Sequence, residues 1–271
     1  MEKIIPGVQL KSIINDSPIT MTVTRTEEVD RGILFQVSVE GYGEPGPFFQ
    51  SNEQILDSDI AGRRGRSGMP SEFMSKQAKD FRWNEYGEEV SALKQICNGF
   101  VVNYPKFSVQ GRGLYIFSET KGSGKTLLAC VLANEVLKRI DMSVKFISTA
   151  DLLALDMRSD EGRNTFGALM NCSLLILDDV GMTVEKRDWA SSIIYRLIDY
   201  RYKEHLSTIY TSNLSIDDLG CDDRVRSRIE VVSVPVKMPE VDVRKRYAEK
   251  YTQDFLRSVF SANAEETERI F

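Results

Sequence analysis

Hydrophobic and polar positions follow two different rhythms along this chain. In the first sixty residues, Ile19-Thr20-Met21-Thr22-Val23-Thr24 alternates apolar and polar side chains, and Phe35-Gln36-Val37-Ser38-Val39-Glu40 does the same. A period of two places one face of a strand against a core. The intervening Glu27-Glu28-Val29-Asp30-Arg31-Gly32 reads as a turn, so the pattern predicts a hairpin. A lone hairpin is barely stable in water, so other strands must join it or it must dock elsewhere. Residues 8–14 are a candidate partner strand. Residues 41–70 are weakly patterned and hold Gly41, Gly43, Pro45, Gly46 and Pro47, which predicts a linker or mobile segment.

From Pro70 onward the rhythm changes. Residues 88–100 read as a helix, with Val90, Leu93, Ile96 and Cys97 on one side. Candidate strands follow at 114–117, 144–148, 174–177, 208–211 and 231–236, with helical stretches between most of them. Near-continuous apolar strands alternating with helices predict an α/β fold, a parallel sheet covered on both faces. Trp83 and Trp189 read as packing residues.

Composition narrows the function classes. The chain has 271 residues, 42% hydrophobic and 28% charged, in keeping with one full domain plus a smaller one. A net charge of −5 argues against broad charge-driven coating of nucleic acid and leaves room for a local basic groove. Arg63, Arg64 and Arg66 are either phosphate contacts or part of a solvated linker. No apolar run approaches the roughly 18 residues that a membrane span needs. The start, Met1 to Pro6, lacks a signal-peptide pattern. Cys97, Cys130, Cys172 and Cys221 form no C-x-x-C pair and His205 is the sole histidine, which argues against structural zinc. Isolated cysteines without a secretion signal predict a reducing cytoplasm.

The chemistry concentrates in Glu119-Thr120-Lys121-Gly122-Ser123-Gly124-Lys125-Thr126. It follows the apolar run 114–117 and leads into a helical pattern over 127–137. A glycine loop between strand and helix, closed by Lys-Thr, is the setting of a phosphate-binding P-loop. Its N–H groups face inward, and the helix N-terminus favours negative charge. Lys125 is placed to reach β- and γ-phosphates and the Thr126 hydroxyl to ligate Mg²⁺. The glycine that usually opens such a loop is Glu119 here, so altered geometry is expected at its mouth.

Two further sites recur at strand ends. Leu174-Leu175-Ile176-Leu177-Asp178-Asp179 is an apolar strand ending in paired carboxylates. Asp178 suits a metal and Asp179 suits polarising a water, or both cap a turn before Gly181. Ser207 to Asn213 gives another strand, whose Asn213 either orients the water or makes an ordinary turn. Arg224, Arg226 and Arg228 crowd one turn and helix, with Arg224 and Arg228 sharing a face. They form a solvated basic face or neutralise phosphate bound by a neighbouring subunit.

These segments together resemble the AAA+ ATPases of the DnaC/DnaI/IstB family, the helicase loaders and their transposition relatives. The similarity rests on the loop Lys121 to Thr126, on Leu174 to Gly181, on Tyr210-Thr211-Ser212-Asn213-Leu214 with Asp217-Asp218-Leu219, and on Arg224 to Ile229. It implies an AAA+ P-loop NTPase domain, a three-layer α/β/α sandwich around a five-stranded parallel sheet, at 73–258. A small β-containing partner-binding region at 1–50, a linker at 51–72 and a polar tail at 259–271 complete the expectation. The resemblance implies ATP and Mg²⁺ as ligands. Lys121, Gly122, Ser123, Gly124, Lys125, Thr126 and Leu127 would cradle the nucleotide, with Thr126 and Asp178 at the metal. Asp179 and Asn213 are implied for catalysis, Arg228 or secondarily Arg224 as arginine finger, and Arg244 near a sensor position. Arg158 and Arg163 fall in the segment that helps loaders contact single-stranded DNA.

The implied activity is ATP-dependent loading of a replicative helicase onto single-stranded DNA by a self-associating cytoplasmic ATPase. Its rivals are a transposition helper forming filaments on duplex DNA and a nucleotide-switched binding protein with negligible turnover, the last prompted by Glu119.

Overall fold

The computed structural model describes residues 9–14, 17–29, 32–39, 46–87, 90–181 and 188–262. The turn at 30–31, the Gly/Pro run at 41–45 and the tail beyond 262 lie outside these, and so does the side chain of Trp189. The chain forms two compact units, residues 1–62 and 63–271.

The first unit holds a four-stranded antiparallel sheet in the order β1 (Gln9–Ile14), β2 (Ser17–Val29), β3 (Gly32–Val39), β4 (Gly46–Ser51). The alternating pattern has its expected consequence: Val23 pairs with Val37 across β2 and β3, and both are buried. The register slips between Val23 and Arg25, and the Thr24 hydroxyl there donates to the Gln36 carbonyl at 2.9 Å. Such a bulge increases local twist.

The segment read as a linker carries the helix α1 (Asn52–Gly65), and β4 precedes it. Its apolar positions are too few for a strong helical period, so the sequence pattern missed it. Arg63, in its last turn, is buried and donates to the Ile140 carbonyl and to Asp141, both at 3.0 Å. This arginine therefore satisfies backbone in the turn that follows another helix and is not a solvated linker charge. Arg66 is exposed.

In the second unit five strands run parallel in the order β6 (Val144–Ser148), β7 (Leu174–Asp178), β8 (Ser207–Ser212), β5 (Gly113–Phe117), β9 (Ser233–Lys237). Successive side chains of a strand point to opposite faces, and both faces are buried here. Leu114, Ile116, Leu174, Ile176 and Ile209 face one core with α2 (Ser91–Val102) and α4 (Lys125–Leu137). Tyr115, Leu175, Leu177 and Tyr210 face the other, together with α5 (Thr149–Ala154), α6 (Asp160–Asn171), α7 (Asp188–Lys203) and α8 (Asp223–Val232). The short helix α3 (Tyr104–Val109) links α2 to β5, and α9 (Val243–Ala262) follows β9. The three-layer α/β/α architecture with a five-stranded parallel sheet, preceded by a small β region, is as the sequence implied.

Some boundaries differ: the helix read over 88–100 spans Ser91–Val102, and the strand read over 208–211 spans Ser207–Ser212. The strand expected at 231–236 begins at Ser233, because Val225, Ile229 and Val232 share a helical period and hold α8 together to Val232. Pro235 is tolerated because β9 lies at the sheet edge.

Candidate functional site

β5 ends at Phe117, and α4 begins at Lys125. The chain between them turns back over the carboxyl end of the sheet. Two glycines make the turn: Gly122 has φ +75° and Gly124 has φ +85°. A side chain would strain either backbone. A Cβ on Gly124 would also lie 2.8 Å from the Tyr86 hydroxyl. Glu119 does not adopt a positive φ, so a glycine is not required there. Its backbone N–H donates to Glu240 Oε1 at 3.2 Å.

Ser123 and Lys125 are buried inside the loop. The Lys125 ammonium donates to the carbonyls of Ser118 (3.1 Å) and Thr120 (3.0 Å) and to Ser123 Oγ (3.2 Å). All three acceptors are neutral. Burial pulls the lysine below its ordinary pKa, and the charges of Asp179, Glu240 and Asp178 oppose that pull. A buried cation ringed by neutral acceptors fits an anion such as a nucleotide phosphate.

At the next turn, Thr126 Oγ donates to Asp178 Oδ1 at 2.9 Å. Asp178 ends β7, is buried, and accepts a second hydroxyl hydrogen bond, from Thr211 Oγ1, at 2.5 Å. Burial raises the Asp178 carboxyl above its ordinary range. The Thr211 hydroxyl lowers it, the neighbouring Asp179 raises it, and Thr126 and Lys125 lower it, with the balance upward. A buried carboxylate beside a hydroxyl is a hard-oxygen donor set, and it fits Mg²⁺.

Asp179 has φ +55°, a conformation that aspartate tolerates better than most residues. Its N–H donates to Thr211 Oγ1 at 3.0 Å, and Val180 N–H donates to the Thr211 carbonyl at 2.8 Å. Thr211 thus fixes both acids from the neighbouring strand. Asn213 follows β8 directly, one residue past Ser212, which pairs with Phe117 at the loop's base. Leu127 packs its half-buried side chain into the core, and Lys121 is exposed. Arg244 donates its backbone N–H to the Gly122 carbonyl at 3.1 Å and carries an exposed side chain.

Lys125, Thr126, Asp178, Asp179, Asn213 and Arg244 therefore converge on one end of the sheet. The finger candidates do not join them. Arg228 is held by Asp199 of α7 at 2.6 Å and lies 5.1 Å from the Tyr195 ring centre. Arg224 sits over the same ring at 5.1 Å and pairs with Asp222 at 3.0 Å. Arg163, in the first turn of α6, pairs with Asp160 at 2.5 Å and donates to the Arg158 carbonyl, and both arginines are exposed.

Sequence reasoning missed Thr211, Tyr86 and Glu240. Tyr86 donates its hydroxyl to the Ser123 carbonyl at 2.8 Å. Thr211 had a readable signal, a hydroxyl in a buried strand directly before Asn213. Tyr86 and Glu240 had none, because nothing local marks them.

A strand, a glycine-cornered loop and a Lys-Thr helix start, with a buried acid two strands away across β8, define an AAA+ type P-loop NTPase domain. Residues 113–221 match the profile of the IstB-like ATP binding protein family. The chain is similar to the replicative helicase loader DnaC of Buchnera aphidicola subsp. Baizongia pistaciae, 29% identical over 176 residues, which are 60% of this chain and 68% of that protein. It is also similar to DnaC of Escherichia coli K12, 30% identical over 126 residues, 43% of this chain and half of that protein. A crystal structure of the DnaC helicase loader superposes with a TM-score of 0.53 at 25% identity, covering 62% of this chain and 99% of that one. The resemblance drawn from the motifs to DnaC/DnaI/IstB ATPases is met by these comparisons. No helix among the described residues is long and apolar enough to cross a membrane.

Proposed function

We propose that this chain is a cytoplasmic ATP-dependent replication protein that loads a replicative helicase onto single-stranded DNA. The observation that carries the reading is the buried lysine loop facing the Thr126–Asp178 pair, in a chain similar to DnaC. Lys125 and the loop N–H groups, from Lys121 to Leu127, hold the β- and γ-phosphates. Mg²⁺, when bound with ATP by Thr126 and Asp178, neutralises charge on the phosphate oxygens. Asp179 accepts the proton of the attacking water as its oxygen bonds to the γ-phosphorus, and the β–γ bridging bond breaks to leave ADP. Asn213 orients that water, and Arg244 lies over the nucleotide.

ATP sits between subunits in this reading, with Arg228 of the neighbour, or secondarily Arg224, facing the γ-phosphate. A head-to-tail contact of this kind makes a ring or an open spiral. Arg158 and Arg163 line the face offered to single-stranded DNA. The unit before the ATPase domain docks on the helicase.

The test is co-purification with the replicative helicase, in ATP and in ADP. An ATP-dependent complex, lost in Lys125→Ala and on removal of residues 1–60, supports the loader. No complex in either nucleotide overturns it. The match to the IstB-like family favours a second reading, a transposition helper filament on duplex DNA. Preference for duplex over single-stranded DNA would select it.

A further inference from the structure

The segment between β9 and α9 is laid along the outside of the phosphate loop like a strap. Met238 N–H donates to the Phe117 carbonyl at 2.7 Å, and Arg244 N–H to the Gly122 carbonyl at 3.1 Å. Between them Glu240 makes the densest contact. Its Oε2 accepts from Ser118 Oγ at 2.8 Å and from Thr120 N–H at 2.7 Å, and its Oε1 accepts from Glu119 N–H at 3.2 Å. Further on, Asp242 Oδ1 accepts from Lys245 N–H at 2.9 Å in the first turn of α9. A side chain on Gly122 would run into that same carboxylate and into Arg244.

Three consequences follow from these contacts. The N–H groups of Glu119 and Thr120 already have an anionic acceptor, so the phosphates must be cradled by the donors from Lys121 onward. Residue 119, where a glycine usually opens the loop, is held by hydrogen bonds and does not need conformational freedom. The first turn of α9 is built on the loop itself, so a shift of the loop is transmitted to the helix.

We propose that Glu240 is a positioning residue for the nucleotide, fixing the mouth of the loop and coupling its occupancy to α9. This rests on the nucleotide reading above and adds a route out of the site. Hydrogen bonds to a carboxylate are among the stronger ones in proteins, and losing three together is large enough to measure. A carboxylate so close to bound phosphate is repulsive by itself. Lys125, close enough to sense the charge of Glu240, offsets it.

The experiment measures Mg-ADP affinity and amide hydrogen exchange on the full chain, for the wild type, Glu240→Ala and Glu240→Gln. ADP affinity should fall roughly tenfold or more in the alanine variant. The glutamine variant, which keeps the volume and one acceptor oxygen, should lie between. Without ADP, the amides of Glu119 and Thr120 should exchange faster in both variants. Addition of ADP should slow exchange at the start of α9 in the wild type and do so less in the variants, a difference that a merely structural role would not produce. If the alanine variant does not fold, the glutamine variant decides alone. Wild-type ADP affinity in the variants, or unchanged exchange at Glu119 and Thr120, overturns the proposal and leaves nucleotide binding standing. Failure of the wild type to bind ADP overturns both.

Discussion

Asp178 shows how a single carboxyl is held ready for a cation. Burial disfavours its ionised form, and two hydroxyls only partly compensate, so its pKa in the folded protein lies above the ordinary value. The sign follows from linkage. A raised carboxyl is destabilising once ionised, so stability falls as pH rises from the ordinary carboxylate range through the raised folded value, and the loss persists at neutral pH. Asp178→Asn is therefore expected to raise the thermal midpoint measured without nucleotide by a few degrees, while abolishing magnesium-dependent turnover. An unchanged or lower midpoint, read by calorimetry near pH 7, would contradict the account of this site.

At the scale of elements, α6 ends against a buried cation. Arg201 of α7 is 1% exposed. It donates to the carbonyls of Leu169 (2.9 Å), Met170 (3.1 Å) and Cys172 (2.9 Å), and to Ser207 O (2.6 Å) and Thr208 Oγ1 (2.9 Å) of β8. One guanidinium thus satisfies the last carbonyls of a helix and ties that helix to α7 and β8. Arg201→Leu keeps much of the volume but strands those carbonyls, and should cost about 3 kcal/mol or more in urea unfolding. A loss within about 0.5 kcal/mol, the range of ordinary surface changes, would show that water can replace the arginine.

What could be read from the sequence also divides by element. The strands β5 and β7 were legible because they are buried on both faces and so are almost wholly apolar. The strand–loop–helix was legible because its turn is written in consecutive residues, two glycines and Lys-Thr. α1 was missed because its helical period is diluted by polar residues. Glu240 was missed because its partners lie 120 to 122 residues away, and only the completed sheet brings them together. Tyr86, 37 residues from Ser123, is hidden for the same reason.

On the scale of the whole molecule, the placement of Arg228 bears on assembly. Its guanidinium, carried by α8, rests on Asp199 and the Tyr195 ring of α7, and no residue of the phosphate loop is among these contacts. In the proposed assembly it acts on a neighbour. Arg228→Ala should bind ATP with wild-type affinity and lose the steep rise of specific activity with protein concentration. An arginine finger is often worth about 10³–10⁵ in rate. Undiminished hydrolysis by the variant at high protein concentration would rule out this arginine as the finger.

The packing of the second unit also gives it a built-in clock. Cys97, Cys130 and Cys172 are buried free thiols, and Cys130 lies in the helix that starts at the phosphate loop. Burial pushes Cys97 up to about 12 and raises Cys130 and Cys172 as well, so all three are inert to alkylation while their surroundings stay closed. Burial raises Cys221 too, but it is half-exposed and so is the one of the four that a reagent can reach in the closed state. The lag between its modification and that of Cys130 would time the transient opening of the nucleotide-binding core, and a bound ligand that tightens the core would lengthen it.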